Sequence, residues 1–144
     1  MNCLSIAQVP PIIVAPDATV LDAVAASLPA KVGAVAVVEA GTLIGIFTER
    51  DVMLKVVHQR RDPATTKVRE VMTAPVITIP TMMKDEEVLQ LMTDNHIRHL
   101  PICEDGKTVL GILSIRNVLE YLLEDRTHDL KHMEAFLNAD NPGG

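Results

Sequence analysis

Gly45-Ile46-Phe47-Thr48-Glu49-Arg50-Asp51 and Gly111-Ile112-Leu113-Ser114-Ile115-Arg116-Asn117 are two copies of one local pattern, 66 residues apart. In each, a glycine opens a short apolar run, the run ends at a hydroxyl residue, and an acid or its amide follows three positions later. An apolar run of strand length that closes on Thr or Ser reads as a strand passing directly into a helix, because those hydroxyls are natural N-caps.

Two further pairs of segments keep the same order. Pro11-Ile12-Ile13-Val14-Ala15-Pro16 matches Pro75-Val76-Ile77-Thr78-Ile79-Pro80, and VGAVAVVE from Val32 matches IRHLPICE from Ile97. Three blocks in one register amount to a duplicated unit of about 50 residues. Each unit reads β-α-β-β-α. In the first, Ile12–Val14 is a strand, Pro16-Asp17-Ala18-Thr19 is turn and cap, and Val20, Leu21, Val24 and Leu28 fall at helical spacing. Ala34–Val38 and Leu43–Phe47 are strands around an Ala40-Gly41 turn, and from Glu49 a helix carries Val52, Met53, Val56 and Val57 on one side. The second unit repeats this with Val76–Ile79, Lys84–Asn95, His99–Cys103, a turn at Glu104-Asp105-Gly106, Val109–Leu113 and Arg116–Leu123.

The predicted organisation is a first repeat over 6–61, a linker over 62–70, a second repeat over 71–124 and a tail over 125–144. A short helical turn is expected at Val68–Met72. The tail has helical character through Leu130, Met133 and Leu137 and is expected to fray from Asn138. A 50-residue α/β unit has too little interior to stand alone, so the two sheets are expected to pack face to face. The fold class is α/β (α+β): two β-α-β-β-α repeats packed sheet to sheet as one module.

Composition narrows the function. The 144 residues are 48% apolar but only 2% aromatic, with Phe47, Tyr121 and Phe136 and no Trp, so the core is aliphatic. A net charge of −6 argues against a partner that is a nucleic acid or an anionic membrane, and the scarcity of aromatics removes the stacking platforms of single-strand binders. Cys3 and Cys103 make neither a disulfide framework nor a zinc pattern, and Cys103, in an apolar run, reads as a small buried residue. No segment approaches the length of a membrane span, nothing at the N-terminus resembles a signal peptide, and a cytoplasmic protein is expected.

The chemistry falls where strand meets helix. Free amides at the helix start favour an anion such as phosphate, Asp51 can accept from both hydroxyls of a ribose, and Arg50 and Arg116, in equivalent places, can bond phosphate oxygens. Thr-x-x-Asp is also close to a capping box, which needs no ligand; the second copy, with Asn117, departs from that formula.

Two such repeats, each closing in Gly-hydrophobic-x-Thr/Ser-x-x-Asp or its amide, resemble a tandem pair of CBS domains, a Bateman module. Val71-Met72-Thr73-Ala74-Pro75-Val76-Ile77-Thr78 and Ile97-Arg98-His99-Leu100-Pro101-Ile102 are typical of such a pair. The resemblance implies that adenosyl compounds bind in two clefts between the repeats. It implies a first site of Thr48, Arg50, Asp51, Ile77, Thr78, Arg98, His99 and Pro101, and a second of Ile13, Val14, Gly33, Ala34, Ala36, Ser114, Arg116 and Asn117. Asn117 in place of the usual Asp weakens a ribose contact by something on the order of 1 kcal/mol. Gly33-Ala34 gives the second site no basic counterpart to Arg98-His99, so the second site is expected to be the weaker.

No nucleophile with a base, no phosphate-cradling glycine loop and no metal-ligand pattern accompanies these residues. His128 and His132, at i and i+4, lack a third ligand and read as a solvated helix face. The expectation is a regulatory, non-enzymatic module with no required cofactor and no metal. Its ligand is an adenosine nucleotide, AMP, ADP or ATP ahead of NAD(H); Arg50, Arg98 and His99 favour a phosphorylated ligand over the sulfonium of S-adenosylmethionine. A homodimer and a separate effector protein are the expected partners, since the 21 residues after Leu123 are too few for an effector domain. The competing reading is a dimeric scaffold with vestigial clefts.

Overall fold

The computed structural model describes residues 1–140. The first unit comprises β1 (Ile13–Val14), α1 (Val20–Ala30), β2 (Ala34–Glu39), β3 (Thr42–Thr48) and α2 (Glu49–Asp51), which continues as a π-wound segment, Val52–Val57. A short helix α3 (Val68–Val71) leads into the second unit, with α4 (Asp85–Asn95), β4 (His99–Ile102), β5 (Gly111–Ser114) and α5 (Ile115–Asp140).

Local chemistry accounts for the element ends. Thr19 caps α1 in a capping box with Asp22, and Lys31 closes it in the left-handed region. Ala40 and Gly41, both at positive φ, form the turn between β2 and β3. α5 runs unbroken from Ile115 to Asp140, joining what the sequence read as a helix and a weakly helical tail. The helix includes Asn138, and residues 141–144, on which the rest of the expected frayed end falls, lie outside the described residues, as does the His128 side chain. The helix holds because no Gly or Pro interrupts this stretch.

The expected strand at Val76–Ile79 is reduced to a single bridge. Ile79 donates to the Pro101 carbonyl and accepts from the Cys103 amide, in parallel register with Ile102. Pro75, Pro80 and Pro101 have no N–H to extend the ladder on either side.

The two units exchange their leading segments. Gln8 pairs antiparallel with Ile112 in the second sheet, and Thr73 pairs antiparallel with Ile46 in the first. Cys3, with Leu4, Ile6 and Ala7, packs among Ile79, Val88, Met92, Leu100 and Leu113 of the second unit. Val68 and Val71 pack among Val14, Val20, Val35, Val37 and Phe47 of the first. Residues 62–70, expected as a linker, thus include a fully buried core residue. A third cluster holds the two sheets together, with Ala34, Ala36 and Ile46 against Cys103, Val109 and Ile112. Small residues at 34 and 36 let the sheets approach, and this contact shapes the clefts at its edges.

Candidate functional site

Thr48 and Asp51 form a reciprocal capping box. The Thr48 amide donates to Asp51 Oδ2 at 3.0 Å, and the Asp51 amide donates to Thr48 Oγ1 at 3.3 Å. Ser114 and Asn117 do the same, with the Ser114 amide on Asn117 Oδ1 at 3.0 Å and the Asn117 amide on Ser114 Oγ at 3.1 Å. The carboxamide oxygen accepts as a carboxylate would, so Asn117 does not break the box as its sequence suggested.

The surroundings of the two boxes differ. Asp51 is 5% exposed. Its Oδ1 accepts from Thr73 Oγ1 at 2.9 Å and faces Lys55 Nζ at 3.0 Å, while Oδ2 accepts from Thr48 Oγ1 at 3.2 Å. Lys55 also donates to the Met72 carbonyl and to Thr73 Oγ1. Thr73 arrives with the segment that the second unit lends to the first sheet. The carboxylate expected to hold a ribose is therefore fully engaged by its own protein. Arg50 is turned away and donates to the His96 carbonyl at 3.1 Å. Ile77 is exposed and Thr78 partly so, whereas Pro101 is buried in β4 opposite Ile112. Of the residues assigned to a first site, Thr48 lines a groove on the first unit, and Arg98 and His99 line a different cavity.

Ser114 and Asn117 instead line an open cavity of about 410 Å³ between the units, together with Gln8, Lys31, Gly33, Ala34, Glu49, Arg98, His99, Arg116 and Glu120. Arg98 and His99 therefore stand with Ser114 and Asn117, not with Thr48 and Asp51. Register explains this placement. His99 lies directly across from Ser114, and the Ile115 amide donates to the Arg98 carbonyl at 2.8 Å. In the first unit, Ala34 lies across from Thr48 and the Glu49 amide donates to the Gly33 carbonyl. Each cap thus faces the start of its own unit's central strand: Gly-Ala in the first, Arg-His in the second. Arg98 and His99 thus line the cavity on the Ser114 side, where the sequence placed no basic residues from the first unit. Of the other residues assigned to it, Ala36 is sealed between the sheets, Val14 lies in the first core and exposed Ile13 pairs with Ala36, so none of the three lines the cavity.

The cavity mixes charges. Lys31, Arg98 and Arg116 bring three cations against Glu49 and Glu120, and Arg116 Nε is tied to Glu120 Oε1 at 3.0 Å. Burial pushes the His99 pKa below the ordinary imidazole value; the Glu49 carboxylate opposes this and Arg98 adds to it. His99 is thus an uncharged imidazole at neutral pH, able to take up a proton beside an anion. Glu49 fills the space that a side chain at position 33 would need, its carboxylate standing where a Cβ on Gly33 would be. Lys31, Glu49 and Glu120 were missed in the sequence, as were Lys55 and Thr73 around Asp51. Lys55, four residues beyond Asp51, and Glu120, four beyond Arg116, left a readable signal, each on one helical face with its partner. Among the described residues no group of three His, Cys, Asp or Glu side chains is placed to hold a metal ion, and no helix is long and apolar enough to cross a membrane.

The residue pattern of the CBS domain matches residues 5–58 and 68–124. The chain is 38% identical over 128 residues to the Arabidopsis thaliana CBS domain-containing protein CBSX3, mitochondrial, and the aligned region is 85% of this chain and 62% of that relative's length. Its fold matches a putative signal-transduction protein with CBS domains from Burkholderia ambifaria, with a TM-score of 0.74 and 33% identity over 80% of this chain and 83% of that one. It also matches, at 22% identity and a TM-score of 0.78 over 87% and 98% of the two chains, a CBS domain pair solved in complex with 5-methylthioadenosine and S-adenosyl-L-methionine. Two matched copies, exchanged leading segments and sheets packed face to face make this chain a member of the CBS domain family, with its two CBS domains in tandem.

Proposed function

We propose that the protein is a non-enzymatic sensor of an adenosine nucleotide, and that the nucleotide occupies the cavity at Ser114 and Asn117. One observation carries this reading: the cavity between the units sets a capped helix start, His99 and three cations around a space within the range of small-ligand sites. The ribose would sit at Asn117, phosphate at Arg98, His99 and Lys31, and the purine against Gly33, Ala34 and Ile112. The engaged state of Asp51 puts the Thr48 side second, reversing the order expected from sequence. Three cations against two carboxylates leave one net positive charge, which favours a phosphorylated adenosine ligand over the sulfonium of S-adenosylmethionine. A CBS pair of the same fold binds adenosyl compounds, which supports the class of ligand.

Occupancy would bridge the two units and bias how copies of the chain pair, to the extent that the ligand binds one arrangement better than another. Exposed Leu21, Leu28, Met53 and Val57 on the first unit and Leu119 and Leu123 on the second supply apolar helix faces for a homodimer. A separate effector protein would read the arrangement. The cytoplasm remains the proposed compartment, in keeping with two buried free thiols, Cys3 and Cys103.

Thermal unfolding against AMP, ADP, ATP, NADH and S-adenosylmethionine tests the reading. At ~100 times its dissociation constant a ligand stabilises the fold by about 2.7 kcal/mol, a shift of several degrees. AMP, ADP or ATP is expected to give a larger shift than S-adenosylmethionine. A flat panel with pairing of copies intact would leave the dimeric scaffold as the function.

A further inference from the structure

Arg50 and Arg116 occupy equivalent places, each two residues beyond the hydroxyl that caps its helix, yet they are held differently. Arg50 Nη1 reaches across to the second unit and donates to the His96 carbonyl at 3.1 Å. Arg116 stays on its own helix, with Nε donating to Glu120 Oε1 at 3.0 Å, one turn further on. The carbonyls are equivalent too. Lys31 closes α1 and His96 closes α4, 65 residues apart, both in the left-handed region at φ 54° and 53°, and each donates its amide back into its own helix. Lys31 and Arg116 line the same cavity. The arginine and carbonyl that are joined on the Thr48 side are therefore both present, and not joined, on the Ser114 side.

One turn beyond each arginine the chemistry differs. The positions three and four residues after Arg50 are apolar Met53 and Leu54, and the adjacent Asp51 carboxylate is taken by Thr48, Thr73 and Lys55. Arg50 thus has no acid on its own helix and spans the two units. Four residues after Arg116 stands Glu120, which supplies one. We infer that Glu120 is a positioning residue that holds the Ser114 cavity open. It keeps Arg116 off the Lys31 carbonyl, a bond that would strap the cavity shut as Arg50 straps the first unit to His96. The restraint is light. The Arg116 and Glu120 side chains are 84% and 56% exposed, and an ion pair so exposed, spaced i to i+4, contributes little. A guanidinium bond to a helix-end carbonyl, which carries partial negative charge, is of comparable strength. Loss of one carboxylate is then enough to change which partner Arg116 takes. The inference rests on the proposed nucleotide site for its ligand, but the strap itself is a property of the unliganded chain.

Glu120→Leu, which copies the first unit, and the double variant Arg116→Ala with Glu120→Leu test it in the full chain, each shown folded by circular dichroism. Without nucleotide, the Lys31 carbonyl carbon, followed by carbon-13 NMR, should move downfield in Glu120→Leu and return in the double variant. The His96 carbonyl carbon should move upfield in Arg50→Ala, which calibrates the size of the shift. A strap closed about nine-tenths of the time lowers affinity roughly tenfold, so Glu120→Leu should bind AMP about that much more weakly than wild type by calorimetry. The double variant should match Arg116→Ala alone. Removing a carboxylate from the cavity would by itself strengthen binding of an anion, so tighter binding by Glu120→Leu would show plain charge repulsion and overturn the strap. An unmoved Lys31 carbonyl overturns it as well, as does a double variant that binds more weakly than Arg116→Ala. The Lys31 shift with no AMP binding to any variant would uphold the strap and overturn the nucleotide reading.

Discussion

Asp51 and Asn117 show how the same cap position is used in two ways. Asp51 is buried, bonded to Thr48 and Thr73 and paired with Lys55, so its role in this arrangement is to bind the second unit's leading segment to the first sheet. Asp51→Ala is expected to cost about 2 kcal/mol of stability, seen as a lowered midpoint in urea, with little change in nucleotide affinity for the chains that remain folded. Glu49 has the opposite character. Its carboxylate lines the proposed nucleotide cavity, so Glu49→Gln should tighten AMP binding several-fold, measured by calorimetric titration; weaker binding would place the phosphate elsewhere.

His99 gives the cavity a pH dependence whose sign can be worked out. Its pKa is depressed in the free protein, chiefly by burial. The unfolded chain therefore binds a proton more readily than the folded one, and stability falls as pH drops below the ordinary histidine value of about 6.5. Phosphate beside the ring raises the pKa again, so AMP binding takes up a proton and its affinity rises as pH falls through the same range. Titrations in buffers of different ionisation heat measure that uptake. His99→Gln should remove the part that wild type shows beyond the protonation of AMP itself.

Elements are built from pieces of both units. The 65-residue spacing of Gln8 and Thr73 and the 66-residue spacing of their partners Ile46 and Ile112 show that the duplication reaches back past the first strand of each unit. Cys3 and Val68, 65 apart and both fully buried, are equivalent core residues in opposite units. Val68→Ala should therefore destabilise the first unit by about 2 kcal/mol, followed by hydrogen exchange at the β2 and β3 amides; faster exchange confined to residues after 71 would contradict the packing.

The β-α-β-β-α order was legible because each element carries its own signal: apolar runs of strand length, Thr19 before a helical spacing, Ala40-Gly41 at a hairpin. Three features were not. Prolines on both sides of Ile79 removed ladder donors from a run that looks strand-like. Leading segments that cross to the other unit leave no local trace. The partners of Arg98 and His99 depend on register, and the connection from Ile102 to Gly111 is too long to fix register by counting. The equivalence of Arg98 to Gly33 and of Ser114 to Thr48 in the repeat was the available signal, since each cap faces the strand of its own unit.

At the scale of the whole molecule, the two units share an aliphatic seam at Ala34, Ala36, Ile46, Cys103, Val109 and Ile112, and the cavity opens at its edge. A ligand there touches Lys31, Gly33 and Ala34 on one unit and Arg98, Ser114 and Asn117 on the other. Its binding energy is then coupled to the relative placement of the units, which is what a regulatory module requires. In the proposed function, exposed helix faces would pass that placement to a second copy.

Calorimetric titration of AMP into the wild type, Asn117→Ala and Asp51→Ala, each shown folded by circular dichroism, tests the central claim most directly. One nucleotide per chain is predicted for the wild type and for Asp51→Ala, with affinity lowered at least tenfold by Asn117→Ala. Binding that survives in Asn117→Ala and disappears in Asp51→Ala would place the nucleotide at the Thr48 side and contradict the account.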